Sequence, residues 1–89
     1  MEKWTSVYAT FTGSDVVVYK NFRTPIQESF VVTGTREEDR FKLSPTANIA
    51  KGDVLQQKGS SVEWEVIDID EYVFNNTLMH IEAKVRKFD

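Results

Sequence analysis

The sequence predicts an all-β chain, a small antiparallel barrel or sandwich of the SH3-like kind with six to seven strands and no substantial helix. Three observations carry this expectation. Short runs rich in Val, Ile, Thr, Tyr, Phe and Trp recur along the chain, the residues that suit a pleated, half-buried surface. Turn residues separate them: Gly13-Ser14-Asp15, Arg23-Thr24-Pro25, Lys51-Gly52-Asp53 and Gly59-Ser60-Ser61. The last third then alternates apolar and charged residues with a period of two, the mark of strands with one face buried.

The elements follow in order. Thr5, Val7, Ala9 and Phe11 line one face of an expected first strand, with Trp4, Ser6 and Tyr8 on the other. Val16, Val17, Val18 and Tyr19 form a second strand, which Pro25 brings to an end because proline donates nothing to a ladder. Residues 28–33 make a third, with Phe30 and Val32 toward the core, and residues 34–39 read as a charged turn. Phe41 and Leu43 alternate with Arg40 and Lys42 in a fourth. In the loop SPTANIAKGD at most one helical turn forms, around residues 45–48, and Ile49 is expected to plug the barrel floor. Val54 and Leu55 begin the next strand.

The final hairpin is the most informative stretch. Val62, Trp64 and Val66 alternate with Glu63 and Glu65, and the phase then slips to Ile67 and Ile69. Adjacent Val66 and Ile67 on one face imply a β-bulge, one extra residue that bends the strand. On the return strand Met79, Ile81, Ala83 and Val85 are expected inward, with His80, Glu82, Lys84 and Arg86 outward. Placing the bulge opposite Ala83 sets Ile69 against Ile81 and Trp64 against Val85. It also pairs Glu65 with Lys84, Glu63 with Arg86, Asp70 with His80, and Asp68 unfavourably with Glu82. Trp64 is expected in the core.

Composition bounds the chemistry. The 89 residues suit one domain, 1–89, which buries roughly 60–65% of its unfolded surface. There is no cysteine, which excludes disulfides and thiolate chemistry, and a single histidine argues against an ordinary zinc cluster. Asp68, Asp70 and Glu71 lack the glycine and the closing glutamate of a calcium loop. No nucleophile stands beside His80, and no glycine-rich loop precedes a helix to cradle phosphate. No catalytic residue, metal site or cofactor is expected. No basic n-region or long apolar run suggests a signal peptide or a membrane span, so a cytoplasmic chain is expected. The net charge of −3 argues against nucleic acid as a partner. Were there such binding, bases would stack on Trp4, Tyr8 or Tyr19.

DIDEYVFNNTLMH, residues 68–80, raises a separate question. Asn75-Asn76 suits a tight turn without aromatic help, yet Tyr72, Val73 and Phe74 stand beside it. Either the tip folds back as a lid on the barrel, or it projects and inserts Phe74 into a partner. The acidic stem favours projection. Tyr72, Val73, Phe74 and Trp4 are therefore the candidate partner-binding residues.

FKLSPTANIAKGDVLQQKGSSVEWEVIDID followed by MHIEAKVRK resembles the closing half of small head–tail connector proteins of tailed phages, the head-completion or stopper type. Phe41, Leu43, Ala47, Ile49, Gly52, Asp53, Gly59, Trp64 and Val66 stand at the places of that pattern, as does His80-Ile81-Glu82. The resemblance covers roughly residues 40–87. It implies a non-enzymatic, oligomeric ring component that docks on a portal or adaptor and receives the tail, found in the host cytoplasm and then in the virion. Beside it stands a plainer expectation, an interaction or regulatory domain of a cellular or mobile-element protein.

Overall fold

The computed structural model describes residues 13–88. Its strands are β1 (Ser14–Lys20), β2 (Glu28–Glu37), β3 (Arg40–Leu43), β4 (Val54–Gln57), β5 (Trp64–Phe74) and β6 (Thr77–Lys87). All pair antiparallel and close a barrel in the order β1-β2-β3-β6-β5-β4, with β4 returning to β1. Among the described residues there is no helix, as the missing 3.6-residue periodicity predicts. The strand expected over residues 4–11, and Trp4 with it, lie outside the described residues.

Alternation builds the core. Val16 and Val18 of β1, Phe41 and Leu43 of β3, and Ile81, Ala83 and Val85 of β6 all point inward and are buried. Leu55 and Val66 complete the ring of contacts, and Phe30, Val32, Ile49, Trp64, Ile69 and Leu78 pack half-buried around it. Each full-sized side chain among the buried ones contributes about 1.5–3 kcal/mol. Ile49 is thus only a partial floor, and its neighbour Ala47, 6% exposed, sits deeper.

Asp53 is the one buried charged residue among those described. Its carboxylate accepts from Lys20 Nζ at 2.6 Å and from the Ala50 amide at 2.8 Å. The turn at Lys51-Gly52 is thereby tied to the end of β1, with Gly52 at φ 94°, a conformation other residues adopt under strain. Aromatic rings gather just past the end of β1. Phe22 meets Phe88 edge-on at 5.2 Å, and the Arg23 guanidinium lies 5.1 and 5.2 Å from their centroids.

Four expectations are corrected. Residues 34–37 belong to β2, and the turn shrinks to Glu38-Asp39 between the paired Glu37 and Arg40. Gly34 is there for space: a Cβ on it would lie 2.5 Å from Leu43 Cδ2 and 2.8 Å from the Lys42 carbonyl. The hairpin register is also shifted by two residues. Val66 pairs with Val85, Trp64 with Lys87, Glu65 with Arg86, Asp68 with Lys84, Ile69 with Ala83 and Asp70 with Glu82. Charge matching along the stem left that register ambiguous; the turn decides it. Phe74 pairs with Thr77 across a two-residue turn, and the strands slip twice, at Ile67 in β5 and at Met79 in β6. The two slips cancel along the hairpin, and because the expected register is off by two, an even number, each paired residue keeps its face while its partner changes.

Third, Ile67 and Met79 are not core residues. They are the extra residues at the two slips, 36% and 42% exposed. Fourth, Trp64 is half-buried at the start of β5 rather than enclosed. One side of the indole packs on Phe41 at 6.5 Å, and Arg36 covers it with its guanidinium 4.8 Å from the ring.

Candidate functional site

β5 and β6 are each eleven residues long, against four for β3 and β4. That difference creates the candidate site. β3 accompanies β6 only from Ile81 to Lys84, and β4 accompanies β5 at Trp64 and Glu65. Two further backbone bonds, Gly52 N to Val66 O and Val66 N to Asp53 O, extend the contact by one residue. Val85 N also donates to Asp39 O; among the described residues, the part of the hairpin beyond Val66 and Ile81 pairs only with itself. It extends past the barrel wall and gives the described chain its 46 × 26 × 25 Å outline.

The tip is closed by Asn75 and Asn76 at φ 51° and 61°, the double left-handed turn that matches the twist of a hairpin. Just before it stand Tyr72, Val73 and Phe74, exposed by 44%, 59% and 66%. These side chains do not cover the barrel. Only Leu78, on the return strand, is turned toward the core. Of the residues singled out for partner contact, the structure brings Tyr72, Val73 and Phe74 to one projecting tip, and adds exposed Met79 beside them. Met79 escaped the sequence reading because it stands in phase with Ile81, Ala83 and Val85.

Below the tip the hairpin is stiffened and charged. His80 faces Tyr72, not Asp70, and their rings stack at 4.6 Å with 13° between planes. The His80 Nε2 atom is buried, finds no hydrogen-bond partner among the described residues, and lies 3.6 Å from the Glu82 carboxylate. Glu82 in turn accepts from Arg40 at 3.2 Å, and the Tyr72 hydroxyl lies 3.5 Å away. Asp70 is thus set against Glu82, a like-charge pair. Asp68 faces Lys84 and has Lys51 Nζ at 4.0 Å. Lower still, Glu65 accepts from Arg86 at 3.1 Å, and Glu63 pairs with Arg23 rather than with Arg86.

A second, shallower feature is a groove of about 420 Å³ along β2, between Val31 and Thr33 on one side and Ser44 and Thr46 on the other. Tyr19 is no open stacking platform: its hydroxyl donates to Gln56 at 2.9 Å and its ring packs on Phe22 at 5.1 Å. Among the described residues, no group of three or more His, Asp or Glu could hold a metal ion. No helix among them is long and apolar enough to cross a membrane. Family models, curated proteins and solved structures were compared with the chain, and none matches it.

Proposed function

We propose that this barrel is a non-enzymatic protein–protein interaction module whose β5–β6 hairpin is the docking element. The observation that carries the reading is the projecting tip, where Tyr72, Val73, Phe74 and Met79 are all more than two-fifths exposed. Apolar side chains grouped at a tip gain by being covered, and interfaces concentrate their energy in such aromatic anchors. The Tyr72–His80 stack supports the same reading, since a stiffened hairpin loses less entropy on docking.

The specific role proposed is joining of head and tail in a phage or prophage particle, with a portal, adaptor or tail protein as partner and copies of the chain assembled side by side. The resemblance over residues 40–87 supports this role. Solution mass measured over a wide concentration range, with electron microscopy of any rings, tests it. Discrete assemblies that disappear in Phe74→Ser, with the melting temperature of the parent kept, are the expected result. A chain that stays monomeric and captures neither portal nor tail protein would count against the assembly role.

A further inference from the structure

We propose that the edge of β5 that no described strand covers, residues 68–74, takes up an extended basic segment of a protein partner as an added antiparallel strand. The proposal rests on the hairpin being the docking element and names the chemistry of what docks.

Beyond Val66, no described strand other than β6 pairs with β5. Among the described residues, the main-chain groups along its other edge therefore meet no strand, and the Ile69 amide there donates to Asp68 Oδ1 at 2.9 Å. An exposed sheet edge is a template for strand addition, in which the main chain supplies affinity and alternate side chains supply specificity. The other edge of the hairpin is a poorer template, because the slip at Met79 interrupts β6. The β5 edge is regular from Asp68 to Tyr72, between the two slips.

Its side chains define the occupant. Asp68, Asp70, Tyr72 and Phe74 share one face of the strand, and Ile69, Glu71 and Val73 share the other. Asp68, Asp70 and Glu71 are all exposed. An antiparallel strand alongside therefore meets apolar neighbours at Phe74, Val73 and Tyr72. It then meets carboxylates at Glu71 and Asp70, apolar Ile69, and carboxylate again at Asp68. Read in the partner's own direction, the complement is three strand-forming residues, two cations, one apolar residue and a cation. A second copy fits the acidic part of this edge poorly. Edge-to-edge pairing centred anywhere from Ile69 to Glu71 opposes carboxylate to carboxylate, which is destabilising. The acids that guard the edge against its own kind thus select a partner of opposite charge.

The test uses the full chain labelled for backbone NMR and a synthetic peptide, VTVKRVK, capped at both ends. Expected are shift changes confined to residues 67–74 that saturate at or below about 1 mM peptide, with slowed amide exchange on the β5 edge. Affinity should fall at least tenfold when Asp68, Asp70 and Glu71 are all changed to Lys, and should weaken as salt screens the charges. The peptide VTVEEVE should not bind. Equal binding of both peptides by the parent chain, changes centred elsewhere, or no changes at all would overturn the proposal. If the peptide fails while Phe74→Ser still abolishes assembly, the hairpin remains the docking element and strand addition alone is rejected.

Discussion

At the scale of single residues, the stabilising contacts separate cleanly from the ones facing solvent. Asp53 is 7% exposed and holds Lys20 Nζ and the Ala50 amide at once. Removing it strands a half-buried ammonium and a turn amide, and losing hydrogen bonds of this charged kind costs about 1.5–3 kcal/mol. Asp53→Ala should lower stability by about that much, read from the urea midpoint, while Asp53→Asn, which keeps an acceptor, should lose less. Phe41 and Trp64 give a second comparison. Phe41 is fully buried, and its truncation to Ala should cost about 3–5 kcal/mol. Trp64 is only half-buried, with the Arg36 guanidinium rather than apolar core on one side, so Trp64→Ala should cost less than Phe41→Ala in the same denaturation series. The reverse order would mean that the indole is the true centre of the core.

At the scale of elements, the strands were legible where the period-two pattern is strong. Ile81, Ala83 and Val85 were assigned inward from alternation, and Phe41 and Leu43 stood out by alternating with Arg40 and Lys42; all five are buried. The bulge at Val66-Ile67 was legible too, since two adjacent apolar residues break the phase. The matching slip at Met79 was not, because Met79 falls in phase with Ile81, Ala83 and Val85 and so read as one more inward residue. Placing the one expected bulge opposite Ala83 then set the partners of Asp70 and His80 two residues off, and the Tyr72–His80 stack was invisible. The exposed tip, by contrast, was readable from aromatic residues standing beside a turn that does not need them. Gly34 misled for another reason: glycine punctuates turns, but here it makes room for Leu43. Gly34→Ala tests that account. A methyl group 2.8 Å from a backbone carbonyl has nowhere to move cheaply, and such overpacking costs about 1–3 kcal/mol. A neutral or stabilising Gly34→Ala, measured by thermal unfolding, would return the position to the turn residues.

At the scale of the whole molecule, the barrel and the outer hairpin are separate in their energetics. Residues 73–79 are exposed apart from Leu78, which packs half-buried on the core. Replacing 73–79 with Asn-Gly keeps the Tyr72–His80 pair and closes it with a two-residue turn of the kind hairpins favour. The lost burial of Leu78 amounts to about 1 kcal/mol, which in a domain of this size lowers the melting temperature by about 4–8 °C. The barrel loses none of its buried residues, from Val16 to Val85, so unfolding should stay a single cooperative transition. Binding should behave differently. With Val73, Phe74 and Met79 gone, assembly or partner capture should disappear while the fold persists, monitored by calorimetry beside solution mass. A truncated chain that no longer melts cooperatively would show that the hairpin organises the barrel, since its strands continue into the wall as the paired Val66 and Val85. A truncated chain that melts as expected and still assembles would move the interface onto the barrel itself, where the groove along β2 beside Val31 is the next surface to alter.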